Sequence, residues 1–364
     1  MVAGVVFTIL VCIYAVVLTF LYWKQKNEKL VKSNHPANPP VISDTAEQEV
    51  SAVVEHVEPI VSQAMLDKAD EAQRLHQTFQ KFVPRQFVDH FAQGGADLLK
   101  LGYADEDEVA VMFCDIRGFT SLSEQMNPQQ LMNFLNAYFL RMNAPIHDNH
   151  GFIDKFIGDA IMALFDHPNG DLADKALDSV QAALDLQKAL RLYNHHRAKS
   201  GYAPVKNGVG LHLGPVVLGT VGSDDRMDTT VIGDAVNVAQ RIESLTNYFG
   251  CDILASRSLV DAASQSTIFA FRTIDKVLLR GKSSQIEVVE IYQHLSEEEI
   301  NQRNACKDII VTGMAMRDSR DLQNALALFK QAQKDYPHDP VFNHHVNTCE
   351  RLLHDSEWDG NIRL

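Results

Sequence analysis

Residues 151–165, GFIDKFIGDAIMALF, hold two apolar runs of strand length, GFIDKF and AIMALF, set around Ile157, Gly158 and Asp159. Runs this short, separated by a Gly-Asp pair, have the composition of two strands joined by a tight hairpin tip. The segment therefore commits the chain to a sheet. It also places three charged residues, Asp154, Lys155 and Asp159, in an otherwise apolar stretch. A turn aspartate is usually structural, and Asp154 reads as a surface or hairpin residue.

The surrounding sequence alternates strand-like and helix-like blocks. EVAVMFCDI (108–116) predicts a buried strand and NPQQLMNFLNAYFLRMNAPIHDNH (127–150) an amphipathic helix. Residues 171–198 predict a helix, NGVGLHLG and PVVLGTVG a hairpin, 234–249 a helix, CDILAS a strand, and 268–293 two final strands. Strands interleaved with long helices imply an α/β or α+β sandwich around a mixed sheet. Beyond about residue 296 the pattern is wholly helical, and ALALFKQAQKDYPHDP (325–340) resembles one tetratricopeptide repeat. A lone repeat cannot bury its own core, so this tail is expected to cap the domain before it or to join a partner.

At the other end, residues 2–23 form 22 uncharged, mostly aliphatic and aromatic residues, about 33 Å as a helix and so a match for a bilayer core. No basic region precedes the run, which disfavours a cleaved signal peptide. Tyr22 and Trp23 suit the interface, and Lys24, Lys26, Lys29 and Lys32 follow on one side, so the positive-inside rule expects a single-pass anchor in the inner membrane with the rest cytoplasmic. SNHPANPPV reads as a linker. Residues 45 to about 93 then read as helix, with Phe79, Phe82, Phe87 and Phe91 forming a packing stripe interrupted at Pro84. The expected boundaries are 1–24 anchor, 25–44 linker, 45–104 helical signalling or dimerisation segment, 105–295 catalytic domain and 296–364 tail.

A formal charge of -14 argues against nucleic acid as a partner, because a phosphate-tracking surface needs a basic excess. Cysteines 12, 114, 251, 306 and 349 are odd in number and widely spaced, and they read as reduced thiols in a cytosolic compartment.

Asp115 ends the apolar strand 108–116 and is followed by IRGFTS, where Gly118 permits a tight path whose backbone amides can cradle phosphate. Two strand-end aspartates meeting at one edge, Asp115 and Asp159, would make an oxygen-ligand site for Mg²⁺ or Mn²⁺. Two such ions activate an attacking oxygen and neutralise a leaving phosphate. In TTVIGDAVNVAQRIE (229–243), Asn237 and Arg241 lie one turn apart on one helix face; by themselves they read as an exposed helix pair without a role, although an Arg and an Asn so placed could hold a phosphoryl oxygen and orient a ribose.

VMFCDIRGFTSLSE, GFIDKFIGDAIMALF and VIGDAVNVAQRIE, in that order and at those separations, resemble the class III nucleotidyl cyclases over about 108–293. QKFVPRQFVDHF and the tail with WDG at 358–360 are similar to the flanks of bacterial membrane-attached adenylate cyclases. The resemblance implies an α+β, ferredoxin-like palm domain with a mixed sheet flanked by helices, to which the sequence adds the transmembrane helix and the TPR-like helical tail. It implies ATP as substrate, cyclic AMP as product and two Mg²⁺ or Mn²⁺ ions per site, held by Asp115, Asp159 and the carbonyl of Ile116. The amides of Arg117, Gly118, Phe119 and Thr120 match the triphosphate turn. Lys155 and Thr230 match the two purine selectors, and Lys155 favours adenine because an ammonium donates and cannot accept. Asn237 and Arg241 match the ribose-orienting and transition-state residues. Arg280 stands where the family usually places a triphosphate-binding lysine, with Lys282 close by. Sites in this family form between two domains, so a homodimer is expected. The rivals are a guanylate cyclase, disfavoured by Lys155 and Thr230, and a catalytically silent, membrane-tethered regulatory dimerisation module.

Overall fold

The structure, a computed structural model, describes residues 67–75, 104–167, 170–223, 225–278 and 284–355. The apolar run 2–23, the linker, the phenylalanine stripe, Cys12, Arg280, Lys282 and the WDG sequence lie outside the described residues. The chain divides into two units, Met1–Gln77 and Thr78–Leu364. Of the first, residues 67–75 are described and are helical. All that follows concerns the second. Among the described residues no helix is long and apolar enough to cross a membrane.

Strand β1 (Ala104–Ile116) leads through a short helix α1 (Phe119–Ser123) and helix α2 (Pro128–His147) into the hairpin β2 (Gly151–Ile157) and β3 (Ala160–Phe165). Helix α3 (Leu172–Lys199) then returns the chain to β4 (Asn207–Ser223). These strands lie in the order β2-β3-β1-β4, and β3 and β4 are both antiparallel to β1. Two interleaved split β-α-β units result, which is the ferredoxin-like arrangement. Both long helices start at capping boxes, Asn127 with Gln130 and Asp171 with Asp174, so their first turns are fixed by local sequence.

The predicted hairpin across 207–223 is instead one strand. Gly214 and Pro215 carry a turn composition, yet β4 stays paired to β1 from Asn207 to Gly219. Pro215 falls between the part of β4 that pairs with β6 (Ile253–Ser256) and the part that pairs with β5 (Arg226–Ile232). A residue without an N–H is tolerated there because β4 has a single neighbour to satisfy. The hairpin forms one strand later, between β4 and β5. Pairing with the far half of β4 also extends β1 four residues before the predicted start, to Ala104.

Alternation on β1 sorts the core. Ala110, Met112 and Cys114 face a cluster supplied by α2, α3 and α5 (Arg257–Ala263), while Val109, Val111 and Phe113 face one shared with β5 and α4 (Asp234–Phe249). Helix α4 lies directly on β4 because the strand facing it is bare. A Cβ at Gly210 would sit 2.2 Å from the Glu243 nitrogen, and one at Gly214 would meet Ala235 at 3.1 Å.

Strands β7 (Phe271–Val277) and β8 (Ile286–Ile291) complete the sheet beside β6, and the tail follows as α6 (Glu297–Asp318), α7 (Leu322–Asp335) and α8 (Pro340–His354). The tail caps the domain, as one of the two expectations had it. Phe329, Phe342 and Val346 join Ile242, Phe249, Ile274 and Val288 in one cluster. Its burial is therefore against the sheet and α4, and not against a second repeat. Buried charges fix the docking. Arg272 on β7 donates to Glu290 at 2.6 Å and through both terminal nitrogens to Asp339, at the start of α8. Arg317 on α6 and His344 on α8 both reach Asp275 on β7. Burial works against the Asp275 carboxylate, but His344 and Arg317 hold it well below the usual range. Cys114, Cys251, Cys306 and Cys349 are buried free thiols.

Removing one member of a buried ion pair leaves its partner's charge uncompensated. Arg272→Ala is expected to cost about 3–5 kcal/mol of stability, read from the urea midpoint. Asp261→Ala, which breaks the exposed one-turn pair with Arg257, is expected to cost less than about 0.5 kcal/mol.

Candidate functional site

Asp115 ends β1 on the side that faces α4, and Asp159 sits at the tip of the β2–β3 hairpin. Gly158 there adopts φ 66°, which a side chain would strain, and so allows the two-residue turn. The register Cys114 to Ile161 carries the hairpin tip alongside Asp115. The Ile116 amide donates to Asp115 Oδ1 at 3.0 Å, while Oδ2 of Asp159 is buried with no hydrogen-bond donor. Burial, and then the adjoining Asp115 carboxylate, push Asp159 up to about 7. A crowded carboxylate pair with an orphaned buried oxygen is an incomplete arrangement of like charges. A hard divalent cation would complete it, because such ions take oxygen ligands and prefer carboxylates.

A third carboxylate belongs to the same place. Glu243 on α4 would have its Oε1 2.9 Å from a Cβ at Gly208, the β4 residue in register with Asp115. Burial first, and then the Asp115 charge, bring Glu243 up to about 7. The sequence reading assigned it no role although it ends the motif TTVIGDAVNVAQRIE. The available signal was the glycine alternation at 208 and 210, which marks where a helix would press on the strand.

Of the four amides in the expected phosphate turn, Arg117's already donates to the Lys206 carbonyl at 2.9 Å. Its side chain points to the Cys251 and Thr246 carbonyls and to Asp252, strapping the loop between α4 and β6. Gly118, at φ 68°, caps α1, where Phe119 and Thr120 begin a helical turn whose first amides have no intrahelical acceptor.

Asp154 is not a surface residue. Its side chain is 1% exposed and lies 3.3 Å from Lys155 Nζ. Burial raises its pKa, against the pull of Lys155 and with a further push from Asp228 on β5. The cause lies in the irregular register of β2 between Ile153 and Lys155. A β-bulge breaks the two-residue alternation of the strand and turns this side chain inward. Lys155 thus emerges from the sheet over a buried counter-charge. Thr230 lies in β5, paired with Gly219 of β4.

Asn237 and Arg241 occupy one face of α4, about 40° apart, whereas Glu243 is turned about 200° from Arg241. Glu243 faces β4, so Arg241 and Asn237 face away from the strand that bears on Asp115. One copy of the chain therefore offers its carboxylate set and its Asn-Arg set in different directions. Arg280 and Lys282 lie outside the described residues.

Comparisons with known proteins converge on one family, described as the adenylate and guanylate cyclase catalytic domain, whose profile matches residues 102–294. A protein named adenylate cyclase from Anabaena cylindrica is 42% identical over 236 residues, which are 64% of this chain and 46% of that protein. One from Dictyostelium discoideum, named adenylate cyclase, terminal-differentiation specific, is 34% identical over 281 residues, 76% of this chain and 13% of that protein. The chain thus spans less than half the length of these relatives. Among solved structures, a bacterial light-regulated adenylyl cyclase shares the fold with a TM-score of 0.54 at 24% identity, over 69% of this chain and 68% of that one.

The two raised carboxylates give a pH dependence of defined sign. In the folded chain Asp159 and Glu243 keep their protons up to about 7, whereas in the unfolded chain carboxylates lose them near pH 4. The folded state binds more protons in that window, so their contribution is fully present below it and is lost as pH rises through about 7. Mg²⁺ held by these carboxylates would relieve that loss, so it is expected to raise the melting temperature more at about pH 8 than at about pH 6, and Asp159→Asn to shrink the difference. Thermal denaturation with and without Mg²⁺ measures it.

Proposed function

Because the chain belongs to the family of adenylate and guanylate cyclase catalytic domains, we propose that it is an adenylate cyclase, converting ATP to 3′,5′-cyclic AMP and pyrophosphate. The observation that carries the reading is the carboxylate pair Asp115 and Asp159, with its orphaned buried oxygen, at the open end of a ferredoxin-like sheet. The names of the relatives from Anabaena and Dictyostelium support adenylate over guanylate chemistry.

In the reaction the ribose 3′-oxygen attacks the α-phosphorus in line, a bond to that oxygen forms, and the bond to the pyrophosphate oxygen breaks. The hydroxyl proton leaves to solvent or to a substrate phosphate oxygen. Asp115, Asp159 and the Ile116 carbonyl would hold the Mg²⁺ or Mn²⁺ ions, as a pair. Divalent metal bound there makes the 3′-hydroxyl more acidic and neutralises phosphate charge. The amides of Gly118, Phe119 and Thr120 take triphosphate oxygens, and Arg280 or Lys282 adds a cation. Lys155, steadied by Asp154, donates to adenine N1, where guanine presents an N–H that calls for an acceptor. Thr230 reads the same purine from β5. Asn237 orients the ribose, and Arg241 stabilises charge growing on the α-phosphoryl group.

A homodimer follows from the two directions of α4: the Asn-Arg face of one copy completes the carboxylate set of another. The apolar run 2–23 would tether this dimer to the inner membrane.

Turnover of ATP and of GTP by the full chain with Mg²⁺ or Mn²⁺ tests the reading, and preferential cyclic GMP formation overturns it. Arg241→Ala is expected to lower kcat about 10²–10³-fold, and Asp115→Ala to abolish turnover. Co-expressing the two variants is expected to recover about a quarter of wild-type turnover, because half of the dimers are mixed and each has one intact site. Absence of any recovery would place both residues in a site within one chain.

A further inference from the structure

At the base of the β2–β3 hairpin, opposite the Asp159 tip, three groups from three elements converge. His150 immediately precedes β2, His167 follows β3 by two residues, and Asp178 stands on α3. Nδ1 of His150 lies 3.2 Å and Nδ1 of His167 2.9 Å from the same oxygen, Asp178 Oδ2, and the two rings are 4.4 Å apart between centroids. All three ligating atoms lie within 4.8 Å of one another.

We propose that His150, His167 and Asp178 form a binding site for a divalent d-block cation of the Zn²⁺ class, separate from the oxygen-ligand site at the hairpin tip. Donor type argues for it: two imidazole nitrogens and one carboxylate oxygen suit Zn²⁺, whereas Mg²⁺ prefers oxygen alone. Spacing argues for it too. A tetrahedral ion with bonds of about 2.0–2.1 Å holds its ligands about 3.3 Å apart, so the observed 3.2 and 2.9 Å edges need open by only a few tenths of an ångström. On binding, each neutral imidazole carries its single proton on Nε2 and offers Nδ1, so a hydrogen held on Nδ1 against Asp178 passes to Nε2 through solvent and the cation takes its place. The side chains are 57%, 29% and 18% exposed in the order His150, His167, Asp178, which gives a cation entry and leaves water as the fourth ligand.

The other such cluster among the described residues is Asp275 with His344 and His345. It is buried, and its carboxylate is already matched by the Arg317 guanidinium. A cation at the hairpin base would join α3 to both strands and so fix the strand pair whose tip carries Asp159.

The test titrates the full chain with Zn²⁺ alone, in excess Mg²⁺, by calorimetry, and repeats it with Co²⁺ by absorption spectroscopy. The expected result is one Zn²⁺ per chain, retained in Asp115→Asn, with a Co²⁺ spectrum that lacks a thiolate charge-transfer band. His167→Ala and Asp178→Asn are expected to weaken binding by at least the roughly tenfold that loss of an outer-shell partner costs. His150→Gln, at the most exposed of the three side chains, gives the same reading should His167→Ala fail to fold. No stoichiometric Zn²⁺, binding lost in Asp115→Asn but kept in the histidine variants, or a thiolate band would each overturn the proposal. None of these outcomes bears on nucleotide turnover, so this site and the cyclase reading fail separately.

Discussion

The contact of helix α4 with a strand stripped of side chains is what the rest of the site depends on. Gly208, Gly210 and Gly214 share one face of β4, and helix α4 occupies the space their Cβ atoms would need, with its backbone at Gly210 and with side chains at Gly208 and Gly214. This close seat fixes both the height and the rotation of α4. One side brings Glu243 over Asp115, and the opposite side turns Asn237 and Arg241 outward. A larger residue at Gly210 would lift the helix and move both sets at once.

The same helix is gripped at its other end by the tail. Phe249 packs edge-on against His344, and Tyr248 reaches the same imidazole through its hydroxyl at 3.2 Å. His344 in turn bonds Asp275, which Arg317 also pairs with, so two tail helices, α6 and α8, meet α4 and β7 through one buried network. Such networks contribute less to net stability than to a unique docking geometry, because desolvation offsets much of the attraction. The tail thereby belongs to the mechanical frame of the helix that carries Asn237 and Arg241.

Local pattern made much of this legible. The hairpin over 151–165, the long helices with their capping boxes and the final strand pair all follow from periodicity and turn chemistry, which act over a few residues. The meeting of the two aspartates was legible for the same reason, since Asp115 lies at the end of an apolar strand and Asp159 at the tip of a hairpin. Where neighbours decide, the pattern misled. Gly214 and Pro215 read as a turn until β1 supplied a continuous partner. Asp154 read as a surface or hairpin residue; it lies in the hairpin, where a bulge turns it inward. Glu243 carried no signal of its own.

By itself, then, the sequence determined the element types, the order of the motifs and the residue chemistry at each, because these depend on composition and short-range spacing. Tertiary structure alone decided that Arg272 meets Asp339 across 67 residues, that Asp159 keeps its proton to about 7, and that α4 faces two ways. Burial and juxtaposition set those properties, and neither exists until distant strands and helices are packed together.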